Sequence, residues 1–143
     1  MIVVIDTNCL LASIPPQSSY YWLYLYFKEG KFDWLISNEI LSEYEEKLIE
    51  RYSQNTANIV LNILSVASNV IHSAPYFKWN LVEQDPDDNK FADLAIAGNA
   101  DYLIPNDKHF NPLKFLDFPK LNVITIDEFK KIMIGGKVTP YPK

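Results

Sequence analysis

Four carboxylates of this chain stand where strand and helix boundaries would gather them. Asp6 closes the run I-V-V-I-D, Glu43 lies in E-I-L-S-E-Y, Asp88 in D-P-D-D-N-K-F, and Asp107 just beyond Y-L-I-P. Carboxylates a few ångströms apart repel by roughly 4 kcal/mol per pair at an effective dielectric of about 20, so such a cluster needs protons, water or a cation. An all-oxygen donor set suits Mg²⁺ or Mn²⁺, whereas the two histidines, His72 and His109, are too few and too far apart for a zinc cage. A metal held by several carboxylates can lower the pKa of a bound water and clamp a phosphodiester in line. That is the chemistry of nucleases.

The elements that must position these acids can be read from the hydrophobic pattern. Ile2 to Ile5 form an apolar, mostly β-branched run that reads as a buried strand. S-S-Y-Y-W-L-Y-L-Y-F-K-E-G-K predicts an aromatic-rich helix capped by Ser18 or Ser19, with Gly30 near its end. Asp33 to Ser37 predict a short strand, and N-E-I-L-S-E-Y-E-E-K-L-I-E-R-Y an amphipathic helix capped by Ser37 or Asn38. A third helix is expected over T-A-N-I-V-L-N-I-L-S-V-A-S-N and a strand over Asn69 to Ser73. The segment A-P-Y-F-K-W-N-L-V-E-Q-D-P is a connection bounded by prolines. D-N-K-F-A-D-L-A-I-A-G predicts a helix closed by Gly98 or Asn99, then D-Y-L-I-P a strand, L-N-V-I-T-I a last strand and I-D-E-F-K-K-I-M a last helix. Alternating strands and helices imply an α/β fold, a single-domain three-layer sandwich with a small parallel sheet flanked by helices. Residues 1–134 form the expected domain and 135–143 a C-terminal tail.

In an open parallel sheet, ligands bind beyond the carboxyl ends of the strands. Asp6 and Asp107 each follow a strand and so belong to that rim. Asp88 falls at or beside the N-cap of the next helix, where a carboxylate accepts amide hydrogen bonds and complements the helix dipole. Glu43 lies at the border of its helix's apolar stripe, yet Glu39, Glu46 and Glu50 share roughly its side, and helix geometry alone does not choose among them. Each residue also has a structural reading. Asp88 can be a cap alone, Asp107 a turn former in P-N-D, and Glu43 part of a solvated helix face. Asp6 is harder to explain that way, because buried unpaired charge is costly. Asp85 and Asp87 read as loop residues around Pro86, His72 as a hydrogen-bonded core residue, His109 as incidental, and Cys9 as a small buried hydrophobe.

The bulk composition sets limits. The 143 residues suit one domain, and 48% apolar with 22% charged residues is ordinary globular usage. The single cysteine excludes an internal disulfide and fits a reducing, cytoplasmic setting. The start M-I-V-V-I-D has no basic n-region, and no apolar run approaches the ~18 residues of a membrane span. A net charge of −5 argues against a broadly basic nucleic-acid surface while leaving room for a local basic rim.

V-V-I-D-T-N, E-I-L-S-E-Y, D-P-D-D-N-K-F and A-D-Y-L-I-P-N-D-K-H-F, in that order and spacing, resemble the PIN domain (PilT N-terminus) family, from Ile2 to about Met133. The likeness is to its branch of toxins from toxin–antitoxin pairs. The resemblance implies a metal-dependent ribonuclease whose acids fall on Asp6, Glu43, Asp88 and Asp107, with Mg²⁺ or Mn²⁺ as cofactor. Asn8 matches the asparagine of D-T-N, whose amide would orient Asp6 or a metal-bound water. It also implies an RNA substrate, a homodimer and a small antitoxin partner. One departure stands out: many relatives carry threonine or serine where this chain has Pro105, which loses a hydroxyl and an amide donor.

The leading function is therefore an endoribonuclease. Lys90 and Lys108 are placed either to contact phosphate or to be solvated. Tyr20, Tyr21 and Trp22 can stack bases or fill a core or dimer interface. An aspartyl-nucleophile phosphatase using Asp6 is an alternative, but that pattern wants a second acid where Asn8 stands. A catalytically inactive PIN-fold binding or assembly module is the non-enzyme alternative.

Overall fold

The computed structural model describes residues 1–83, 85–105, 113 and 118–138. Asp107, Lys108 and His109 lie outside the described residues. Four parallel strands, β1 (Ile2–Ile5), β2 (Asp33–Ile36), β3 (Val70–His72) and β4 (Tyr102–Ile104), form one sheet in the order β3-β2-β1-β4. The chain moves from β1 outward to β3, then returns to place β4 on β1's other side. The crevice between β1 and β4 is thus the point where strand order reverses, where open α/β sheets bind ligands.

The helices are α1 (Thr7–Ser13), α2 (Tyr21–Lys28), α3 (Asn38–Arg51), α4 (Gln54–Val66), α5 (Asn89–Ala97) and α6 (Ile126–Val138). Val3, Val4 and Ile5 are fully buried, so the central strand is covered on both faces. Consecutive residues of β2 show the two layers. Trp34 packs edge-on to Phe27 of α2 and Tyr44 of α3, at ring distances of 4.9 and 6.2 Å. Leu35 points to the opposite face, against Gly98 at the end of α5. The α/β sandwich expected from the sequence is the one observed.

Local capping follows the sequence at α3, whereas α4, read from Thr56, starts two residues earlier behind a serine cap. Ser37 Oγ accepts the Ile40 amide at 3.2 Å to start α3, and Ser53 Oγ accepts the Thr56 amide at 3.0 Å to start α4. Elsewhere the structure departs from the sequence reading. Helix α1 was not foreseen: it starts one residue after β1, capped by Asp6. Helix α2 begins at Tyr21 rather than at Ser18 or Ser19, because Ser18 Oγ instead receives the Tyr20 amide in a preceding turn. The stretch L-N-V-I-T-I makes no full strand. Val123 forms a single bridge to Leu103, flanked by the bonds Leu103 N–H to Asn122 O and Ile124 N–H to Leu103 O. A three-residue β4 turns only Leu103's amide and carbonyl to that side, since alternate residues face opposite neighbours. Helix α6 continues through Val138, into the stretch expected as a tail.

Of the two roles open to the aromatic residues of the α2 region, stacking bases or filling a core, the structure favours the core. Tyr20, Tyr21 and Trp22 are half-buried, Leu23, Tyr24 and Phe27 are buried, and Trp22 packs 6.0 Å from Phe129. These side chains serve the core. The described residues of the connection, 73–83 and 85, have no regular structure, and a 3₁₀ turn over Pro86–Asp88 follows.

Candidate active site

Asp6 follows β1 at the strand-order switch. Its amide donates to the Ile104 carbonyl of β4 at 3.0 Å, so it is locked to both strands flanking the crevice. Its carboxylate is buried and caps α1, with Oδ2 accepting the Asn8 amide at 3.1 Å. Asn8 therefore orients Asp6 through its backbone N–H. Its side chain lies in a separate hollow with Leu11, Lys47, Glu50 and Arg51. Cys9 is buried behind this turn, and burial together with the nearby Asp6 charge pushes its thiol pKa far up, so it is inert packing as expected.

Among the glutamates of α3, Glu43 alone is drawn inward. Glu39, Glu46 and Glu50 are exposed, whereas Glu43 is half-buried. Its neighbour Tyr44 explains why. The Tyr44 hydroxyl donates to the Ile5 carbonyl at the end of β1 and accepts from Trp34 Nε1 at 3.2 Å. Burial drives the Tyr44 phenol pKa well above its usual value, so this pin stays protonated. Pinned beside Asp6, α3 turns the next residue, Glu43, toward the same rim. There the Thr7 hydroxyl donates to Glu43 Oε2, and Lys90 Nζ pairs with Oε1 at 2.6 Å.

Asp88 immediately precedes α5. It makes no side-chain cap bond, contrary to the capping role read from sequence, although its Oδ2 is shielded from solvent. The cap of the preceding 3₁₀ turn is Asp85, which accepts the Asp87 amide at 3.2 Å. Lys90, two residues past Asp88, also donates to the Asp87 carbonyl and lies 5.3 Å from the Phe91 ring. Lys90 thus joins the start of α5 to Glu43, and Thr7 joins Glu43 to the turn at Asp6. Three acid-bearing elements are laced together at one edge of the sheet.

The donors are all carboxylate oxygens, and the rim has already drawn one ammonium group against Glu43; both features fit an oxygen-preferring divalent cation. Among the described residues, no three Asp, Glu, His or Cys side chains converge closely enough to form a metal cage. The fourth expected acid, Asp107, lies outside them. Pro105, at the exit of β4, is buried.

Two features of this edge were missed or misread in the sequence. His72, expected in the core, is exposed at the end of β3 and lines a cleft of about 490 Å³ with Ser37, Asn38, Lys78 and Lys90. A three-residue edge strand leaves its outer side chains in water. Asp93 is a buried carboxylate of α5 that accepts the Trp79 amide at 3.1 Å. Its burial raises its pKa above the ordinary carboxylate value, with Glu39 adding to the rise while the Trp79 amide and Lys78 oppose it. The signal for Asp93 was its position as the lone charge inside F-A-D-L-A-I-A.

A PIN domain family model matches residues 2–109. This chain belongs to the PIN domain family. Its fold is similar to that of VapBC2 from Rickettsia felis, solved bound to a DNA fragment from their promoter. The TM-score is 0.61 and the identity 20%, over 87% of this chain and 98% of the other. At that identity the likeness speaks for the PIN fold. No curated protein matches the chain. No helix among the described residues is long and apolar enough to cross a membrane.

Proposed function

We propose that this PIN domain is a Mg²⁺- or Mn²⁺-dependent endoribonuclease, the toxin of a cytoplasmic toxin–antitoxin pair. The observation that carries the reading is the position of Glu43, which is tied through Thr7 to the Asp6 turn and through Lys90 to the start of α5. A solvated helix glutamate would need neither tie. Asp6, Glu43, Asp88 and Asp107 would hold the metal, with Asn8 supporting Asp6. When bound, the ion supplies activation of water and neutralises charge on the phosphodiester. The chain's own part is to hold these carboxylates in place before substrate arrives: Asp6 by the β1–β4 crossing, Glu43 by Tyr44 and Thr7, and the α5 start by Lys90. Such preorganisation is what an electrostatically driven reaction needs. A homodimer and a small antitoxin protein belong to the same reading.

The test is cleavage of mixed-sequence single-stranded RNA by purified protein with Mg²⁺, Mn²⁺ or EDTA, beside Asp6→Asn. Asparagine keeps an acceptor for the α1 cap, so the variant is expected to fold normally. Cleavage should require the metal and fall at least about a hundredfold in Asp6→Asn. Equal activity in EDTA or in the variant would overturn the proposal. The second reading, an inactive PIN-fold module, draws on the Lys90–Glu43 pair, which compensates one acid without any metal. It predicts no metal binding by calorimetry.

A further inference from the structure

After β3 the chain borders the cleft beside His72 as a strap, 73–82, fastened to α5 at two points. The Trp79 amide donates to Asp93 Oδ1 at 3.1 Å, and Asn89 bonds both the amide and the carbonyl of Val82, at 2.7 and 3.3 Å. Ahead of these fastenings, large aromatic groups stand in water. Tyr76 is fully exposed, Phe77 is 60% exposed, and Phe118 beside them is 79% exposed. Phe77 meets Trp79 edge-on at 4.7 Å, and Trp79 meets Phe118 at 5.7 Å. An exposed aromatic cluster of this kind marks a binding surface.

The occupant is indicated by what is interleaved with the rings. Lys78 lies between Phe77 and Trp79 in sequence and lines the cleft of about 490 Å³ together with His72 and Lys90. A second hollow of about 190 Å³ shares Lys78, Lys90, Asp93 and Glu39 with the first. Lys90 is also the partner of Glu43, so one side chain borders both the cleft and the acid rim. The cleft's lining mixes donors and acceptors (Asn38, Ser73, Lys78, Asp93), which suits the hydrogen-bonding edge of a nucleobase. Aromatic faces for bases beside cations for phosphates are how sequence-tolerant single-strand binders work. A duplex keeps its base faces stacked inside and cannot use such a surface.

We propose that the 73–79 strap is a single-stranded RNA platform. Tyr76 and Phe77 stack unpaired bases, Lys78 holds a phosphate, and the cleft beside His72 receives the nucleotide that leads into the acid rim. This rests on the ribonuclease reading and adds the surface that delivers substrate to it.

The experiment is fluorescence anisotropy of a short fluorescein-labelled single-stranded RNA with the full chain in EDTA, beside Tyr76→Ala/Phe77→Ala, Lys78→Ala and a duplex of the same sequence. Metal-dependent cleavage of the same RNA is measured in parallel. Both aromatic side chains are exposed, so thermal unfolding should be unchanged. The double variant should bind at least roughly tenfold more weakly, with KM rising in step, and the wild type should prefer the single strand over the duplex. If the wild type cleaves RNA while the double variant binds it equally well, the platform is wrong and the nuclease stands. If the wild type binds but never cleaves and the variant loses binding, the platform stands and the nuclease falls. Failure of the wild type to bind any RNA overturns both. Unchanged RNA affinity with a changed oligomeric state would make the strap a protein interface instead, and equal affinity for duplex would remove the stacking role.

Discussion

Two side chains decide how this rim behaves, and neither is an expected metal ligand. Lys90 is 12% exposed and its partner Glu43 24%, so their pair is worth more than a surface ion pair and less than one sealed in a core. Replacing Lys90 with Met leaves Glu43 facing its neighbours without the ammonium. The expected cost is about 1–3 kcal/mol in metal-free buffer. If Glu43 is a metal ligand as proposed, the lysine and a divalent ion compete for its carboxylate, and Mg²⁺ should raise the Tm of Lys90→Met more than that of the wild type. Equal Mg²⁺ shifts by thermal unfolding would mean that Glu43 binds no metal. Asp93 makes a different prediction. Its folded-state pKa is raised by burial, so the folded protein holds this proton more tightly than the unfolded chain. Its favourable contribution is complete below the ordinary aspartate pKa and is lost as pH rises through the raised value. Asp93→Asn keeps an acceptor for the Trp79 amide but has no charge to bury. Urea unfolding across the acid range should therefore show the variant gaining on the wild type as pH rises through that window. A pH-independent difference would show that the carboxylate is not ionising in a desolvated site.

At the scale of elements, α5 carries the greatest demands, because its first turn faces the acid rim while its far end packs on the sheet. Gly98 closes it at an ordinary φ of −90°, so the reason for glycine is space rather than backbone conformation. A Cβ there would meet Leu35 Cδ2 at 2.3 Å, and Leu35 is 1% exposed with no room to swing aside. Gly98→Ala should therefore cost about 1–3 kcal/mol, read as a lower Tm, through overpacking between α5 and β2. A neutral result would mean that α5 can slide over the sheet. The same elements show what a sequence can and cannot disclose. Periodicity and capping signals found β1 through β4 and most of the helices, because β-branched runs, Ser37 and Gly98 act locally. They missed α1, a seven-residue helix that starts directly after a strand, and they made a strand of L-N-V-I-T-I, whose pairing depends on how little of β4 is available to it. Glu43 could not be told from Glu39, Glu46 and Glu50 by spacing, since the contacts that single it out come from Thr7, Tyr44 and Lys90. Two of those three lie far away in sequence. His72 looked like a core residue because its apolar neighbours did not reveal that β3 is an edge strand.

For the whole molecule, the question is how a chain of net charge −5 would hold the proposed RNA substrate. A protein that binds RNA through a broad basic face releases many counterions and loses affinity steeply with salt. With Lys90 held by Glu43, the proposed platform relies on Lys78 for phosphate and on ring stacking for the remainder. With one phosphate contacted, log Kd against log salt for a single strand should have a slope of only about 0.7 in magnitude, and Lys78→Ala should bring it close to zero. Tyr76→Ala/Phe77→Ala, by contrast, should weaken binding without altering the slope, because stacking releases no counterions. Anisotropy titrations in increasing KCl separate these terms directly. A slope several times steeper would place the RNA on a basic surface away from the strap, and a slope unmoved by Lys78→Ala would remove that lysine from the phosphate path. A shallow dependence would follow from the acidic surface itself: a net charge of −5 gives no long-range attraction for RNA, so the proposed platform would admit a strand only through ring stacking and the Lys78 contact.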